Sequence, residues 1–278
     1  MRALLVSRAP QFSPNSVEKD RMILEAVGCR LQAAGIATEY ADEESLTSLP
    51  EADLILTMGR LPHTIQLLLQ AEEAGVHVVN SARALSVFSR LNVESTMRRH
   101  GIPAAQMVDI DSPVESKTGY WVKRGDMAAQ SKGDVQYAQD AGQLRQVVSS
   151  FRERGIADIV VTTHEVGDLV KFYGVEGTDF FRITYPTDDG QTKFDDEKRN
   201  GQAHHYSFDV SVLHHDAERL SQLTGVSIYG GDAIVRADGT FAIIDFNDWP
   251  SFSRCREEAA AAIVGKLESY RIKELRQL

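Results

Sequence analysis

The chain has 278 residues, 42% of them hydrophobic and 25% charged, enough apolar material to bury one large core or two to three smaller ones, so disorder is not the default. With 30 Lys+Arg against 40 Asp+Glu, the formal net charge of −10 provides no long-range field for nucleic-acid phosphates, and an anionic substrate would need cations concentrated locally. Two cysteines, Cys29 and Cys255, without C-x-x-C spacing argue against a disulfide scaffold or a zinc site, and no stretch approaches the ~20 apolar residues of a membrane span.

The first apolar run, Ala3 to Val6, is too short for a signal-peptide core, so a cytoplasmic protein is expected. Ala3 to Ser7 reads as a strand. Val17 to Ala34 reads as a helix with Met22, Ile23, Ala26, Val27 and Leu31 on one face, stopped by Gly35, and Cys29 within it is expected to be a buried thiol. Strands at Ala37 to Tyr40, Asp53 to Thr57 and Val76 to Asn80, with a helix from about Pro62, complete a small parallel α/β sheet. No G-x-G-x-x-G follows the first strand, which gives no support to a dinucleotide site of the usual kind.

Beyond residue 80 the pattern changes. Ser81 to Arg99 is helix-rich and closes at His100-Gly101-Ile102-Pro103, after which Met107 to Ile110 is extended. From Gly119 the pattern is antiparallel α+β: strands at Tyr120 to Lys123 and Asp134 to Ala138, a helix over about 141–154, then strands at Asp158 to Thr163, Leu169 to Val175 and Phe180 to Tyr185. Residues 187–206 are polar and aperiodic, as in an exposed or mobile loop. A helix over Val210 to Thr224 stops at Gly225, and two strands, Ser227 to Arg236 and Phe241 to Phe246, are joined by Asp238-Gly239, a strong hairpin signal. Cys255 to Leu278 reads as an amphipathic helix.

That hairpin carries the most informative chemistry. Asp232 is expected near the start of one strand, and Asp245 and Asn247 near the end of its partner, where antiparallel pairing brings them together on one side. Two carboxylates and an amide oxygen form a hard, all-oxygen ligand set suited to magnesium carrying nucleotide phosphates. Taken singly, each residue has an ordinary explanation: a turn cap for Asp232, an arginine partner for Asp245, a turn before Pro250 for Asn247.

An acidic residue, a hairpin, then an apolar strand ending in Asp/Glu-x-Asn with a proline soon after resembles the magnesium site of the ATP-grasp superfamily. Glutathione synthetase-like ligases mostly carry Glu where Asp245 stands, and Ile-Asp-Phe-Asn is similar to the inositol trisphosphate kinase branch. Four other segments agree in order and spacing. Tyr120-Trp121-Val122-Lys123 resembles the strand whose lysine contacts nucleotide phosphate. Asp158 to Thr163 with His164-Glu165 resembles the strand and hinge that hold adenine by main-chain groups, followed by the strand carrying Lys171. Arg98 to Pro103 resembles the entry to the central domain.

The resemblance implies an α/β N-terminal domain over 1–80 followed by an α+β ATP-grasp fold whose two lobes clamp the nucleotide. The lobes would be 81–160, with linker helices, and 161–278, with the metal site and terminal helix. It implies ATP and Mg2+, with Mn2+ as a substitute, held by Lys123, Lys132, Thr163, His164, Glu165, Asp168 and Lys171 for the nucleotide and by Asp232, Asp245 and Asn247 for the metal. Lys171, Arg182 and Arg236 would act on the reacting groups, Arg182 and Arg236 from strands expected to line the cleft, with Arg90 a further candidate. A lysine on a strand is also commonly a snorkelling edge residue, and Asp168 or Glu165 a turn charge.

Two features depart from the family pattern. The loop after Lys123, Arg124 to Gly133, has only two glycines, so Lys132 or Arg124 is expected to replace main-chain contacts to phosphate, and Thr162-Thr163 stands where Gln-Glu is frequent. The leading functional expectation is a carboxylate–amine or carboxylate–thiol ligase acting through an acyl phosphate on a small molecule, with neither nucleic acid nor membrane as partner. A homodimer is expected because the superfamily often dimerises. The alternatives are a kinase of the inositol phosphate type, with Lys132, Arg182 and Lys193 among its few spare cations, and an inactive nucleotide-binding protein. The adjacent pairs His204-His205 and His214-His215 are expected at solvated positions, since neighbours on a helix do not face one side.

Overall fold

The computed structural model describes residues 1–14, 16–188 and 199–275, with side chains as far as Leu267. Lys193 and much of the 187–206 segment lie outside the described residues.

Four parallel strands, β1 (Arg2–Ser7), β2 (Ala37–Asp42), β3 (Leu54–Thr57) and β4 (His77–Val79), form the first sheet in the order β2-β1-β3-β4. Leu4, Leu5 and Val6 are buried in succession because helices cover this sheet, which is why β1 reads as a continuous apolar run. Helix α1 (Val17–Ala33) turns Ile23, Leu24, Val27 and Leu31 inward. Met22 and Cys29 lie on its exposed side, a correction to the expected face: Cys29 stands two residues from both Val27 and Leu31, about 200° around the helix from each. Helix α2 (Pro62–Glu73) starts with proline at its first position, where no amide hydrogen is needed.

Helices α3 (Ala82–Val87) and α4 (Arg90–His100) follow, each with a serine N-cap, and Gly101 ends α4 in the left-handed conformation at φ 65°. A three-stranded antiparallel sheet, β6-β5-β7, is made by β5 (Tyr120–Arg124), β6 (Val135–Ala138) and β7 (Ile159–Thr163). Helix α5 (Ala141–Glu153) covers one face through Leu144, Val148 and Phe151, packed on Val122 and Val161.

The third sheet, order β11-β10-β8-β9, is antiparallel throughout: β8 (Asp168–Val175), β9 (Phe181–Thr184), β10 (Ile228–Val235) and β11 (Phe241–Asp248). Helix α6 (Val210–Thr224) and α4 pack on one of its faces around Phe172, Tyr229 and Phe246. Helix α7 (Arg256–Leu275) returns to α1, so one core runs from Leu5 and Val27 through Val175, Ile228 and Trp249 to Ile263. Among the described residues no helix is long and apolar enough to cross a membrane.

Asn80 sits fully buried at the join between the first and third sheets. Its carbonyl oxygen accepts from Ile228 N at 2.7 Å and its amide donates to Ile228 O at 3.0 Å. Ile228 O also accepts from Trp249 N, so truncation of Asn80 strands chiefly the Ile228 amide. Asn80→Ala is therefore expected to cost roughly 1–3 kcal/mol, the desolvation of one buried N–H. Urea unfolding would measure this, and a loss below ~0.5 kcal/mol would show that the join does not depend on this pair.

Candidate functional site

A cavity of ≈ 690 Å³ lies among the three sheets, lined by loops of the first, by β5 and β7, and by β8, β10 and β11. Its floor is set by strand register. Asp232 on β10 pairs with Lys171 on β8 and with Asp245 on β11, so the three share one face of the sheet, with Asn247 two residues farther along. β11 runs on to Asp248, beyond the expected end at Phe246, and Asp232 lies mid-strand, not near its start. The carboxylates therefore meet in the body of the sheet.

Like charges directly opposite one another on paired strands are destabilising, and here each carboxylate has a cation. Lys171 Nζ lies 3.0 and 3.2 Å from the two Asp232 oxygens, and Arg90 Nη2 lies 3.4 Å from Asp245 Oδ1. Asn247 Nδ2 donates to Asp245 Oδ2 at 2.9 Å, while its carbonyl oxygen accepts no hydrogen bond among the described residues. Burial alone would raise the Asp245 carboxyl, but Arg90 and Lys123 outweigh it and hold the group below its usual range. The arginine partner that would explain Asp245 by itself is thus present, inside the same cavity. Gly231 is required beside this pair, since a Cβ there would lie 2.2 Å from Asp245 O and 2.5 Å from the Phe172 ring.

Lys123 projects from β5, the central strand of its sheet, and is only 6% exposed, so it is no snorkelling edge residue. Its Nζ donates to Ile244 O at 2.6 Å. That carbonyl is available because β11 is bulged there: the register passes from Asp232 opposite Asp245 to Ala233 opposite Ile243, and Ile244 has no cross-strand partner. Burial lowers the Lys123 ammonium, with Glu94 and Asp245 acting in the opposite direction. Glu94, on α4 and 2% exposed, has an unpartnered Oε2, and burial pushes its carboxyl up to about 7 despite Lys123.

Thr163, His164 and Glu165 line the other end of the cavity beside Trp121. The Trp121 indole donates to His164 Nδ1 at 3.0 Å, and their rings cluster with Tyr137, which Arg199 covers at 3.5 Å from the ring centroid. Burial, then Arg199, lowers the His164 imidazole. The main-chain N–H groups of Thr163 and His164 are committed to Gln106 O and Gly119 O, which leaves the Glu165 amide as the N–H donor of this stretch for the expected main-chain recognition.

Lys132 lines the cavity from the glycine-poor loop. Asp134 ties that loop down, accepting from Gln130 N at 2.8 Å and Ser131 N at 3.1 Å and pairing with Arg154. Arg124 is instead bound to Asp126 at 2.6 Å and does not line the cavity.

Three other expected residues are also absent from its lining. Asp168 is buried and accepts from His204 N at 2.7 Å and Tyr206 N at 2.9 Å; burial opposes its charge, but these N–H donors lower its carboxyl below the usual range. It anchors residues 204–206. Arg182 lies on the outer strand β9, ion-paired with Glu258 and set over the Phe180 ring. Arg236 holds Glu165 Oε2 at 2.7 Å and so braces the segment after β7 without lining the cavity.

The sequence reading missed Arg8, Arg60, Asp20 and Asp248, which line the cavity together. Arg8 follows the carboxyl end of β1 and Arg60 comes soon after that of β3, the edge at which parallel sheets present side chains to ligands. That placement was a readable signal.

No family model and no curated protein matches this sequence. Solved structures do match it in three dimensions. D-alanyl-alanine synthetase A from Vibrio cholerae is 12% identical with a TM-score of 0.62, covering 91% of this chain and 90% of its own. The RimK domain protein ATP-grasp from Sphaerobacter thermophilus is 15% identical with a TM-score of 0.62, covering 95% and 98%. The ATP-grasp ligase PsnB, solved with a phosphomimetic variant of its minimal precursor, Mg and ADP, is 14% identical with a TM-score of 0.56, covering 95% and 97%. The chain has the ATP-grasp fold.

Glu94 supplies a test of the buried charge cluster. Its carboxyl lies near 7 in the folded protein against 4.5 for an ordinary glutamate, so the native state retains a proton that the unfolded chain gives up. Its contribution to stability is therefore lost as pH rises from about 4.5 to about 7. In nucleotide-free protein, Glu94→Gln should gain on the wild type across that window by roughly 1–3 kcal/mol. Parallel stability–pH curves for the two proteins would overturn the assignment.

Proposed function

We propose that the protein is an ATP- and magnesium-dependent ligase that joins a carboxylate to an amine or thiol through an acyl phosphate. The observation that carries this reading is the in-register pair Asp232–Asp245 on the cavity floor, flanked by Lys171, Arg90 and Lys123, in a fold of the kind found in ATP-grasp ligases.

The donor set suits a hard divalent cation. Asp232 and Asp245 oppose each other, and Asn247 offers an uncommitted amide oxygen, while phosphate oxygens and water would complete the shell. Bound there by these three residues, Mg2+ would neutralise charge on the transferring phosphoryl group. Lys171, which neutralises Asp232, could then turn its charge towards phosphate, with Lys123 and Lys132 as further point charges in the same cavity. The nucleobase would lie at the Trp121, Thr163, His164 and Glu165 end.

The γ-phosphorus leaves the bridging oxygen of ADP and bonds to a substrate carboxylate oxygen. The amine or thiol then attacks the acyl carbon, the C–O bond to phosphate breaks, and inorganic phosphate departs as the nucleophile loses its proton. Such chemistry relies on positioning and charge neutralisation more than on a nucleophilic side chain. Arg182 and Arg236, bound elsewhere, have no part in it.

ADP release should require an acid together with an amine, and hydroxylamine as the amine should yield a hydroxamate. Asp245→Asn should reduce this turnover at least ~100-fold. Label transferred to a polyol, or tight ATP binding without turnover on any acid, would replace the proposal with a kinase or an inactive binder, respectively.

A further inference from the structure

We propose that Arg8 and Arg60, with Ser16 and Trp249, form an anion subsite for a second carboxylate of the substrate, so that the acid activated here is a short-chain dicarboxylate. This rests on the ligase reading.

The wall that these residues form is rich in donors and poor in acceptors. Its two carboxylates are already engaged: Asp20 accepts from Ser13 Oγ at 2.7 Å and lies 3.6 Å from Arg8 Nη1, while Asp248 pairs with both Arg8 and Arg60. Arg8 is held in place by three carbonyls, donating to Met58 O at 3.3 Å, Asp248 O at 3.3 Å and Trp249 O at 3.4 Å. Arg60 makes its side-chain ion pair through Nη2 alone, and its Nε and Nη1 meet no acceptor among the described residues.

Two further polar groups on this wall have no partner. Ser16 is the N-cap residue of α1, yet its hydroxyl caps nothing; it is 5% exposed and its Oγ is unpaired. Trp249 is fully buried, and its indole Nε1, which can only donate, is unpaired as well. Both line the cavity, as do Arg8 and Arg60. The 17-residue helix α1 also directs the positive end of its dipole here. Arginine and tryptophan side chains and a helix N-terminus share one need: a ligand that brings acceptors and negative charge.

Burial, and after it the charge of Arg8, lowers the proton affinity of Arg60, although the guanidinium stays protonated at neutral pH. An anion would relieve that repulsion. Position then indicates chain length. Asp248 follows Asn247 on β11, and three residues of strand, about 10 Å, separate it from Asp245. A molecule with one carboxylate near Asp245, where phosphoryl transfer is proposed, and another near Arg60 meets its partners at about 3 Å from each end, which leaves about 4–5 Å between the carboxylates, the span of a short-chain diacid.

Titration calorimetry with glutarate and with valerate, its five-carbon monoacid counterpart, tests this directly, in the presence and absence of Mg2+ and a non-hydrolysable ATP analogue. Glutarate should bind the wild type roughly 10- to 100-fold more tightly than valerate, the worth of one charge-assisted contact set. Arg60→Gln should erase that preference, and Arg60→Lys should retain part of it at a melting temperature close to wild type. Equal binding of the two acids, binding of neither, a preference that survives Arg60→Gln, or tight binding of glycerol 3-phosphate with rejection of glutarate would each overturn the dicarboxylate assignment. Nucleotide affinity from the same series reports separately on the ligase reading, because glutarate selectivity is also read without nucleotide.

Discussion

Asp232 and Asp245 face each other in register on adjacent strands, and much of the surrounding architecture serves to make that tolerable. Two carboxylates at that spacing, partly withdrawn from water, need positive charge on both sides. Lys171 arrives by register alone, because it is the β8 partner of Asp232. Arg90 comes from α4, which packs against the same sheet, and Lys123 comes from a different sheet altogether. The bulge at Ile244 presents a carbonyl to the buried ammonium, and Gly231 leaves room for the strands to close. A chain with a net charge of −10 thus concentrates cations where a polyphosphate would need them.

The same strand end connects this centre to the first sheet. Asp248 is shared by Arg8 and Arg60, and Asn80 is pinned to Ile228, two residues before Gly230 on the cavity wall. The apolar core continues across the join through Trp249 and Phe252 to α7 and α1. The Arg8–Arg60 wall and the Asp232–Asp245 floor of the cavity are therefore held by one packed body. The dependence is physical: a shift of β10 would move Asp232 and break the Asn80 pair together.

Much of the fold was legible from periodicity. The continuous apolar β1, the proline that opens α2, Gly101, Gly225 and the Asp238-Gly239 turn fixed element positions to within a residue or two, because each acts locally. The grouping of Lys171, Asp232, Asp245 and Asn247 was legible because local pattern and cross-strand register coincide there. Side-chain destination was the weak point. Asp168 opens β8 one residue before the expected strand and Arg182 sits on the strand expected for it, yet one serves a backbone segment 36 residues away and the other an ion pair with α7. Arg60 carries no motif in its neighbours, and only its position just past the carboxyl end of an expected parallel strand marks it. Cys29 was placed by its sequence neighbours, although two residues along a helix carry it about 200° away from Val27 and Leu31.

Electron paramagnetic resonance of Mn2+, titrated with and without ADP, separates a cation site that nucleotide completes from a neutralised structural cluster. With Lys171 and Arg90 holding the carboxylates, the protein alone should take up little Mn2+ at micromolar concentration. With ADP it should bind about one ion per chain, with lines broadened by 17O in the β-phosphate. Uptake indifferent to ADP, or none in its presence, would contradict the metal–nucleotide assignment.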